Sequence, residues 1–281
     1  MDKRAPWLGY LDYAWRVMAT GISFAVFGIG GLLVRVLAFP ALQACVRDPL
    51  RRRHIARRWV RRSFAGHIEL MRRLGVLTWE VHGGERLQRA GLLVLANHPT
   101  LIDVEFLVSL LPNADCVAKA AVARNPFFRS PVRACGYIVN DGATALIDDC
   151  IAAVRAGGNL VIFPEGTRSA PGQPPRLQRG AAHIAVRGGL NITPVRIDCS
   201  PPTLTKGQKW YRIPPRRFHV RIEVGEDLTI EPYLTQHGAP SENLAARRLT
   251  EYLTHYFFGK ALHASVGTGN QGADRLFAGA R

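Results

Sequence analysis

Short apolar runs alternate with longer amphipathic stretches through the middle of the chain, and this alternation predicts an α/β fold. The runs that resemble strands are 78–82, 92–96, 116–119, 137–140, 159–163, 192–197 and 218–224. Helices are predicted at 104–111, 125–134, 144–156 and 179–187, and a last helix at 242–258. We therefore expect one domain over residues 77–260, a mixed, mainly parallel central sheet of about seven strands flanked by helices.

An apolar segment precedes this domain. Residues 17–34 carry no charged side chain, and a helix of that length measures roughly 27 Å, close to the ~30 Å core of a bilayer. Arg35 interrupts the apolar pattern, which resumes over 36–46 and contains Pro40. Residues 1–46 are thus predicted to be a membrane-associated helical segment, either a single span or a re-entrant pair of helices dipping into one leaflet.

A cluster of arginines follows the apolar segment directly. Its members are Arg47, Arg51, Arg52, Arg53, Arg57, Arg58, Arg61 and Arg62. The positive-inside rule places the chain after the segment on the cytoplasmic side of the membrane. Asp48 and Pro49 supply an N-cap and a first-turn proline for a basic amphipathic helix over 47–76. Its arginines are expected to contact anionic lipid, the alternative being the solvated face of a packed helix.

The overall charge also favours an anionic partner. Lys and Arg number 37 against 21 Asp and Glu, a formal net charge of +16. Anionic lipid and nucleic acid both attract such a surface. A nucleic-acid-binding function does not explain the apolar segment beside the arginines, so no nucleic-acid partner is expected. The five cysteines have no metal-binding or redox spacing, which predicts reduced thiols and no metal.

The candidate chemistry lies where two predicted strands end. His98 follows the strand 92–96, and Asp103 falls where the next helix begins. A carboxylate that holds one imidazole nitrogen leaves the other free to act as a base near neutral pH. Taken alone, this pair is equally typical of a polar turn with a helix-capping Asp. A second strand, 159–163, ends in the polar sequence Pro-Glu-Gly-Thr-Arg-Ser at 164–169, so the two clusters are expected to meet at one edge of the sheet.

These residues resemble a known family. Asn97-His98 with Asp103, an His-x4-Asp motif, and residues 163–169 are similar to the first and third signature blocks of the glycerolipid (1-acylglycerol-3-phosphate type) acyltransferases. Weaker similarities are Lys119, Asn125-Pro126 and Gly136-Tyr137-Ile138 for the second block, residues 192–195 for the fourth, and residues 177–180 between the third and the fourth.

The resemblance implies a phospholipid-synthesising acyltransferase that moves a fatty acyl group from a thioester to a lysophospholipid hydroxyl. The co-substrate would be acyl-CoA or acyl carrier protein, with no further cofactor. His98 would be the catalytic base, and Asp103 would orient it. The residues implied in acceptor binding are Asn97, Arg133, Asn140, Glu165, Gly166, Thr167 and Arg168, of which Asn97 is also expected to fix the turn.

One departure concerns the acceptor. Many family members have a basic residue at the end of the second block, where this chain has Asn140 followed by Asp141. A phosphomonoester would lose one cationic partner here. The sequence therefore leaves two acceptors open, plain lysophosphatidic acid or a specialised lipid such as one with another head group or an amino-acid lipid.

Two further segments are predicted by composition. The loop 201–217 mixes cations with Trp210 and Tyr211, which suits a membrane interface or an acidic carrier protein, though an ordinary surface loop has the same composition. The tail 261–281 is rich in Gly and Ala and is predicted to be disordered.

Overall fold

The computed structural model describes residues 6–125, 128–142, 145–170, 176–235 and 241–265. A single seven-stranded sheet runs through the middle of the molecule in the order β1-β7-β6-β2-β5-β3-β4. Its strands are β1 (Leu77–His82), β2 (Leu93–Ala96), β3 (Ala114–Lys119), β4 (Ile138–Asn140), β5 (Asn159–Ile162), β6 (Ile192–Ser200) and β7 (Phe218–Val224). All neighbouring strands are parallel except β6 and β7. The predicted mixed, mainly parallel sheet is confirmed.

Helices flank the sheet and precede it. They are α1 (Pro6–Leu33), α2 (Phe39–Cys45), α3 (Pro49–Arg73), α4 (Asp103–Leu110), α5 (Ala120–Arg124), α6 (Arg129–Cys135), α7 (Leu146–Arg155), α8 (Gly180–Gly188), α9 (Glu231–Thr235) and α10 (Glu242–Ser265). The helix expected at 125–134 begins at Arg129, and α10 runs on to Ser265, so the predicted tail loses its first residues to this helix. Residues 266–281 lie outside the described part of the chain.

The sheet separates two layers of helices, because side chains along a strand alternate between its faces. In β2, Val94 and Ala96 join the core formed with α3 and α4, which also includes Ala19 of α1. Leu93 and Leu95 join the opposite core, formed with α7, α8 and α10. All four residues of β2 are buried, which explains why its sequence is an unbroken apolar run.

The apolar N-terminal segment is one continuous helical rod. A turn of π-helix, Val34–Ala38, joins α1 to α2 without reversing the chain. Pro40 lies in the first turn of α2, directly after the π-helical turn. A re-entrant pair requires a reversal, so that alternative is wrong. The helix Gly9–Cys45 is long and apolar enough to cross a membrane by length and composition.

Part of this rod is packed against the rest of the protein. The guanidinium of Arg16 is buried and donates to the carbonyl oxygens of Pro214 and Pro215 at 2.9 and 2.6 Å. Phe27 stacks on His67 of α3 with ring centroids 4.4 Å apart. The loop 201–217 joins the same contact, because Trp210 lies 5.8 Å from Phe24. The loop is therefore packed on α1 as well as partly exposed.

The basic helix α3 begins as predicted, with the Asp48 side chain accepting from the Leu50 N–H at 3.0 Å. Its arginines divide into two groups. Arg57 is buried and pairs with the buried carboxylate of Asp115 in β3, while Arg61 donates to the Ser109 carbonyl. The expectation that the whole cluster contacts lipid is wrong for these two, since Arg57 binds β3 and Arg61 binds α4 instead.

Candidate active site

His98 and Asp103 form the pair that their spacing suggested. β2 ends at Ala96, the chain turns, and α4 begins at Asp103 itself. His98 Nδ1 lies 2.8 Å from Asp103 Oδ2. The imidazole thus has one nitrogen on the carboxylate, while Nε2 is left for a substrate. Because the His98 side chain keeps 15% of its surface exposed, a ligand reaches it without rearrangement of the turn.

Asp103 is fully buried and held by hydrogen bonds from two sides. Thr100 donates its N–H to Oδ2 at 2.6 Å and its hydroxyl to Oδ1. Burial raises the pKa of Asp103, while the hydrogen bonds from His98 and Thr100 oppose that rise. A carboxylate in such a place favours a positive charge next to it, so it stabilises His98 once the ring gains a proton.

The third-block turn is tied directly to this pair. Glu165 is buried, and its Oε1 accepts the backbone N–H of His98 at 2.8 Å. Its Oε2 accepts the Ser169 hydroxyl at 2.8 Å, and the Ser169 N–H donates to the His98 carbonyl at 2.8 Å. Two hydrogen bonds therefore join the two turns, and the Ser169 hydroxyl braces Glu165 within its own turn. Glu165 acts here as a positioning residue.

Asn97 anchors the turn that carries His98, and Phe163 packs against the imidazole. The Asn97 amide donates to Ile197 O and accepts from Ile197 N, both at 2.7 Å, so it joins the end of β2 to β6. The expectation that Asn97 fixes the turn agrees with this geometry, and its assignment to substrate binding stays a prediction. The Phe163 ring stacks on His98 with centroids 4.1 Å apart.

Gly166, Thr167 and Arg168 follow Glu165 in the turn after β5. Gly166 has a φ of +66°, which a residue without a side chain adopts at little cost. Arg168 Nη1 donates to the carbonyls of Leu204 and Thr205 at 3.0 and 3.1 Å. Since the Leu101 N–H also donates to Leu204 O, the loop 201–217 reaches the edge of the site beside His98.

The second-block residues lie apart from this cluster. Arg133 is exposed on α6, and Asn140 is exposed at the end of β4, where its side chain accepts from the Gly142 N–H. Neither forms a hydrogen bond with the first-block or third-block residues within the part of the chain that the structure describes. Lys119 is the direct partner of Asn140 in the β3–β4 register. A cation therefore stands next to the position where Asn140 departs from the family pattern.

The thiols near the site are unsuited to nucleophilic attack. Burial raises the pKa of Cys199 to about 12, and the same cause raises that of Cys135 to about 12. Such thiols stay protonated at neutral pH. Over the described ranges, no group of three or more His, Cys, Asp or Glu side chains is arranged to hold a metal ion.

Sequence reasoning missed Thr100, Ser169 and Phe163 as parts of the site. The sequence positions of all three could have indicated their role. Thr100 lies between His98 and Asp103, and Phe163 and Ser169 are the first and last residues of the third block. It also missed the buried His67–Glu105 contact of 2.6 Å, which joins α3 to α4 just after Asp103. That pair is separated by 38 residues, and no local pattern marks it.

Comparison with known proteins agrees with this geometry. Residues 78–198 match the family model described as Acyltransferase. This stretch is similar to the acyltransferase family. The matched stretch includes β1 to β6 almost entirely and both blocks that meet at His98, and it leaves out α1 to α3, β7 and α10.

Two relatives and one solved structure show how far the likeness extends. The chain is 29% identical to the 1-acyl-sn-glycerol-3-phosphate acyltransferase of Helicobacter pylori over 58% of this chain and 69% of that protein. It is 28% identical to that of Pseudomonas aeruginosa over 52% of this chain and 57% of that protein. The crystal structure of the 1-acyl-sn-glycerophosphate (LPA) acyltransferase PlsC from Thermotoga maritima superposes with a TM-score of 0.60 at 18% identity, covering 88% of this chain and 97% of that one. The likeness in fold thus extends beyond residues 78–198 to most of the chain.

Proposed function

We propose that the protein transfers a fatty acyl group from a thioester to the free hydroxyl of a 1-acylglycerol-3-phosphate type lysophospholipid. The observation that supports this most directly is the contact between His98 Nδ1 and Asp103 at 2.8 Å. Glu165, which follows the neighbouring strand β5, holds the turn that carries His98. The matched relatives carry the corresponding name, although the match with the Pseudomonas protein spans little more than half of its length.

The reaction needs one base and no covalent intermediate on the protein. The acceptor oxygen attacks the thioester carbonyl carbon while His98 Nε2 takes the hydroxyl proton, and Asp103 stabilises the imidazolium. The tetrahedral intermediate then collapses, the C–S bond breaks, and the imidazolium returns the proton to the leaving thiolate. An ester and a free thiol result, and His98 is regenerated.

The acceptor's phosphate requires cations near this turn. Lys119 at the end of β3 and Arg168 in the third-block turn are two candidates, and Arg133 adds a third charge on α6. We favour a phosphate-bearing acceptor because Lys119 lies beside Asn140. A specialised acceptor with another head group is the second candidate, and Asn140 with its neutral amide is the observation in its favour.

The apolar rod provides the membrane setting. An exposed stripe runs along one side of it at spacings of three and four residues: Leu11, Trp15, Met18, Ile22, Val26, Ile29, Leu33 and Val36. Large apolar surfaces of this kind associate with lipid. We propose that the protein is bound to the cytoplasmic membrane through this stripe, with its active site on the cytoplasmic side.

The test is thioester consumption by the purified full-length protein in lipid vesicles. Acyl-CoA and acyl carrier protein donors are each combined with lysophosphatidic acid, head-group-modified lysolipids and an amino-acid lipid. The proposal predicts the highest kcat/KM with lysophosphatidic acid. A clearly higher value for a modified acceptor establishes the second candidate, and thioester consumption with none of the acceptors contradicts acyl transfer altogether.

A further inference from the structure

A cavity of about 530 Å³ lies in the helical layer opposite α1, between α10 and the segment that leads into α8. One wall is residues 176–179, and the other is formed by Arg247, Thr250, Glu251 and Thr254 of α10. The wall on α10 is firmly placed, because Leu249 and Leu253 of the same helix are buried against α8. A volume in the range of a few hundred cubic ångströms is typical of small-molecule sites.

The lining is cationic. Arg176, Arg179 and Arg247 face a single carboxylate, Glu251, which pairs with Arg247 at 3.0 Å. Neither Arg176 nor Arg179 forms an ion pair with a carboxylate of the described chain. The lining therefore carries a surplus of positive charge, and guanidinium groups suit phosphate oxygens because they donate two parallel hydrogen bonds.

The cavity adjoins the catalytic turn. The Gln178 N–H donates to Pro164 O at 2.7 Å, and Pro164 precedes Glu165, which holds His98. Gly166 is exposed between them, and a Cβ at that position would lie 3.5 Å from Gln178 Cγ. A side chain at this position would contact Gln178, so glycine leaves this edge of the turn open.

We propose that this cavity binds the phosphorylated nucleotide end of a coenzyme A thioester. The inference rests on the proposed acyl transfer and names the site of its donor. Coenzyme A combines phosphates with a long flexible arm that ends in the thioester, which fits an anion site set to one side of the base. The Thr250 and Thr254 hydroxyls donate to Ala246 O and Thr250 O, so their oxygens accept hydrogen bonds from the base or the ribose.

A larger cavity is less suited to this ligand. It measures about 710 Å³ and is lined by β1, β7 and the far part of α10. Its Arg221 pairs with Glu223 at 2.8 Å, its Arg86 has Glu226 at 3.8 Å, and its Arg196 donates to Tyr256 O at 2.5 Å, so each of its three arginines is already engaged within the protein. Its lining also lacks the link to the third-block turn that Gln178 provides for the smaller cavity.

The test measures binding, not turnover. Titration calorimetry on the full-length protein in detergent micelles compares coenzyme A with its 3′-dephospho form for the wild type, Arg176→Gln and Arg247→Gln. Arg248→Gln is the matched control, because Arg248 is the next exposed arginine on α10 and lies outside the cavity lining. The site predicts that the wild type prefers coenzyme A by about five- to tenfold, that each cavity variant loses most of this preference, and that the control keeps it.

Several outcomes overturn the proposal. One is unchanged coenzyme A affinity in both cavity variants, and another is a wild type that does not bind coenzyme A. If the same variants slow transfer from acyl carrier protein while coenzyme A affinity is unchanged, the surface serves a protein donor instead. Binding is measured without an acceptor, so the two proposals can fail separately. A protein that binds coenzyme A at this cavity but transfers no acyl group would contradict the proposed function and not the site.

Discussion

The two halves of the candidate site differ in how completely the fold builds them. On the first half, Asp103 and Glu165 are buried and every side-chain contact that orients His98 is made within the protein. On the second half, Lys119, Arg133 and Asn140 are exposed. We infer that the first half is preorganised for proton transfer, whereas the second is left to be completed by the acceptor.

The largest expected effect lies in the buried half. Asp103→Asn should lower acyl transfer by about 10² to 10⁴, because the imidazole loses its orienting charge. Burial raises the pKa of Asp103 above the unfolded value near 3.8, so its ionised form costs folding free energy at neutral pH. The cost is absent below the unfolded pKa and develops as the pH rises through the folded one. The variant should therefore melt at or above the wild-type temperature at pH 7.

Two measurements check this prediction, an initial-rate assay and thermal melting at pH 4 and pH 7. The melting difference between Asp103→Asn and the wild type should be larger at pH 7. A variant that keeps near-wild-type turnover, or one that melts far below the wild type at pH 7, contradicts the role assigned to Asp103.

Glu165 should have the next largest effect, through position and not through chemistry. Glu165→Ala leaves the His98 N–H and the Ser169 hydroxyl without a partner in a buried turn, at a cost of about 1–3 kcal/mol per group. We expect lower melting temperature together with roughly a hundredfold loss of kcat. Ser169→Ala removes only one of the two bonds and is the control, so an equal loss in both variants would argue against Glu165 as the link.

The exposed half should respond more gently. Asn140→Arg adds a cation beside Lys119, at the position where the sequence departs from the family. It should raise kcat/KM for lysophosphatidic acid by about tenfold and leave an uncharged monoacylglycerol acceptor unchanged. If both acceptors change equally, or neither does, the phosphate does not bind at this corner.

The smallest effect concerns the membrane. Ile22→Lys places a charge in the exposed stripe of α1 and removes apolar area worth about 1 kcal/mol, so partition to vesicles should weaken by roughly fivefold. Leu244→Lys, at a similar exposure of 40% on α10, is the control and should partition normally. Equal weakening in both variants, or none in Ile22→Lys, would mean that the stripe is not the membrane contact.

Much of the fold was predictable because it rests on local pattern. Fully buried strands such as β2 and β5 read as apolar runs, and the polar residues after them mark the end of the sheet where His98 lies. The features that could not be predicted from the sequence depend on contacts between residues far apart in the chain. Arg57 looked like one more surface arginine, and only its pairing with Asp115, 58 residues away, makes it internal.

The apolar rod and the donor cavity illustrate the same limit. Charge at Arg35 and a proline at position 40 suggested a break, yet a π-helical turn carries the helix through both. The cavity needs α8 and α10 packed side by side, and α10 lies beyond the residues that match the family model.

The central claim is that His98 is the base for acyl transfer. Its most direct test is the rate of thioester consumption by His98→Ala in lipid vesicles with lysophosphatidic acid, against the wild type at equal folded protein. Asp103 keeps both of its hydrogen bonds from Thr100 in this variant, so the protein should fold and bind coenzyme A as the wild type does. The account predicts a loss of about 10² to 10⁴ in kcat with coenzyme A affinity unchanged. A His98→Ala protein that turns over within a few-fold of the wild type would contradict it.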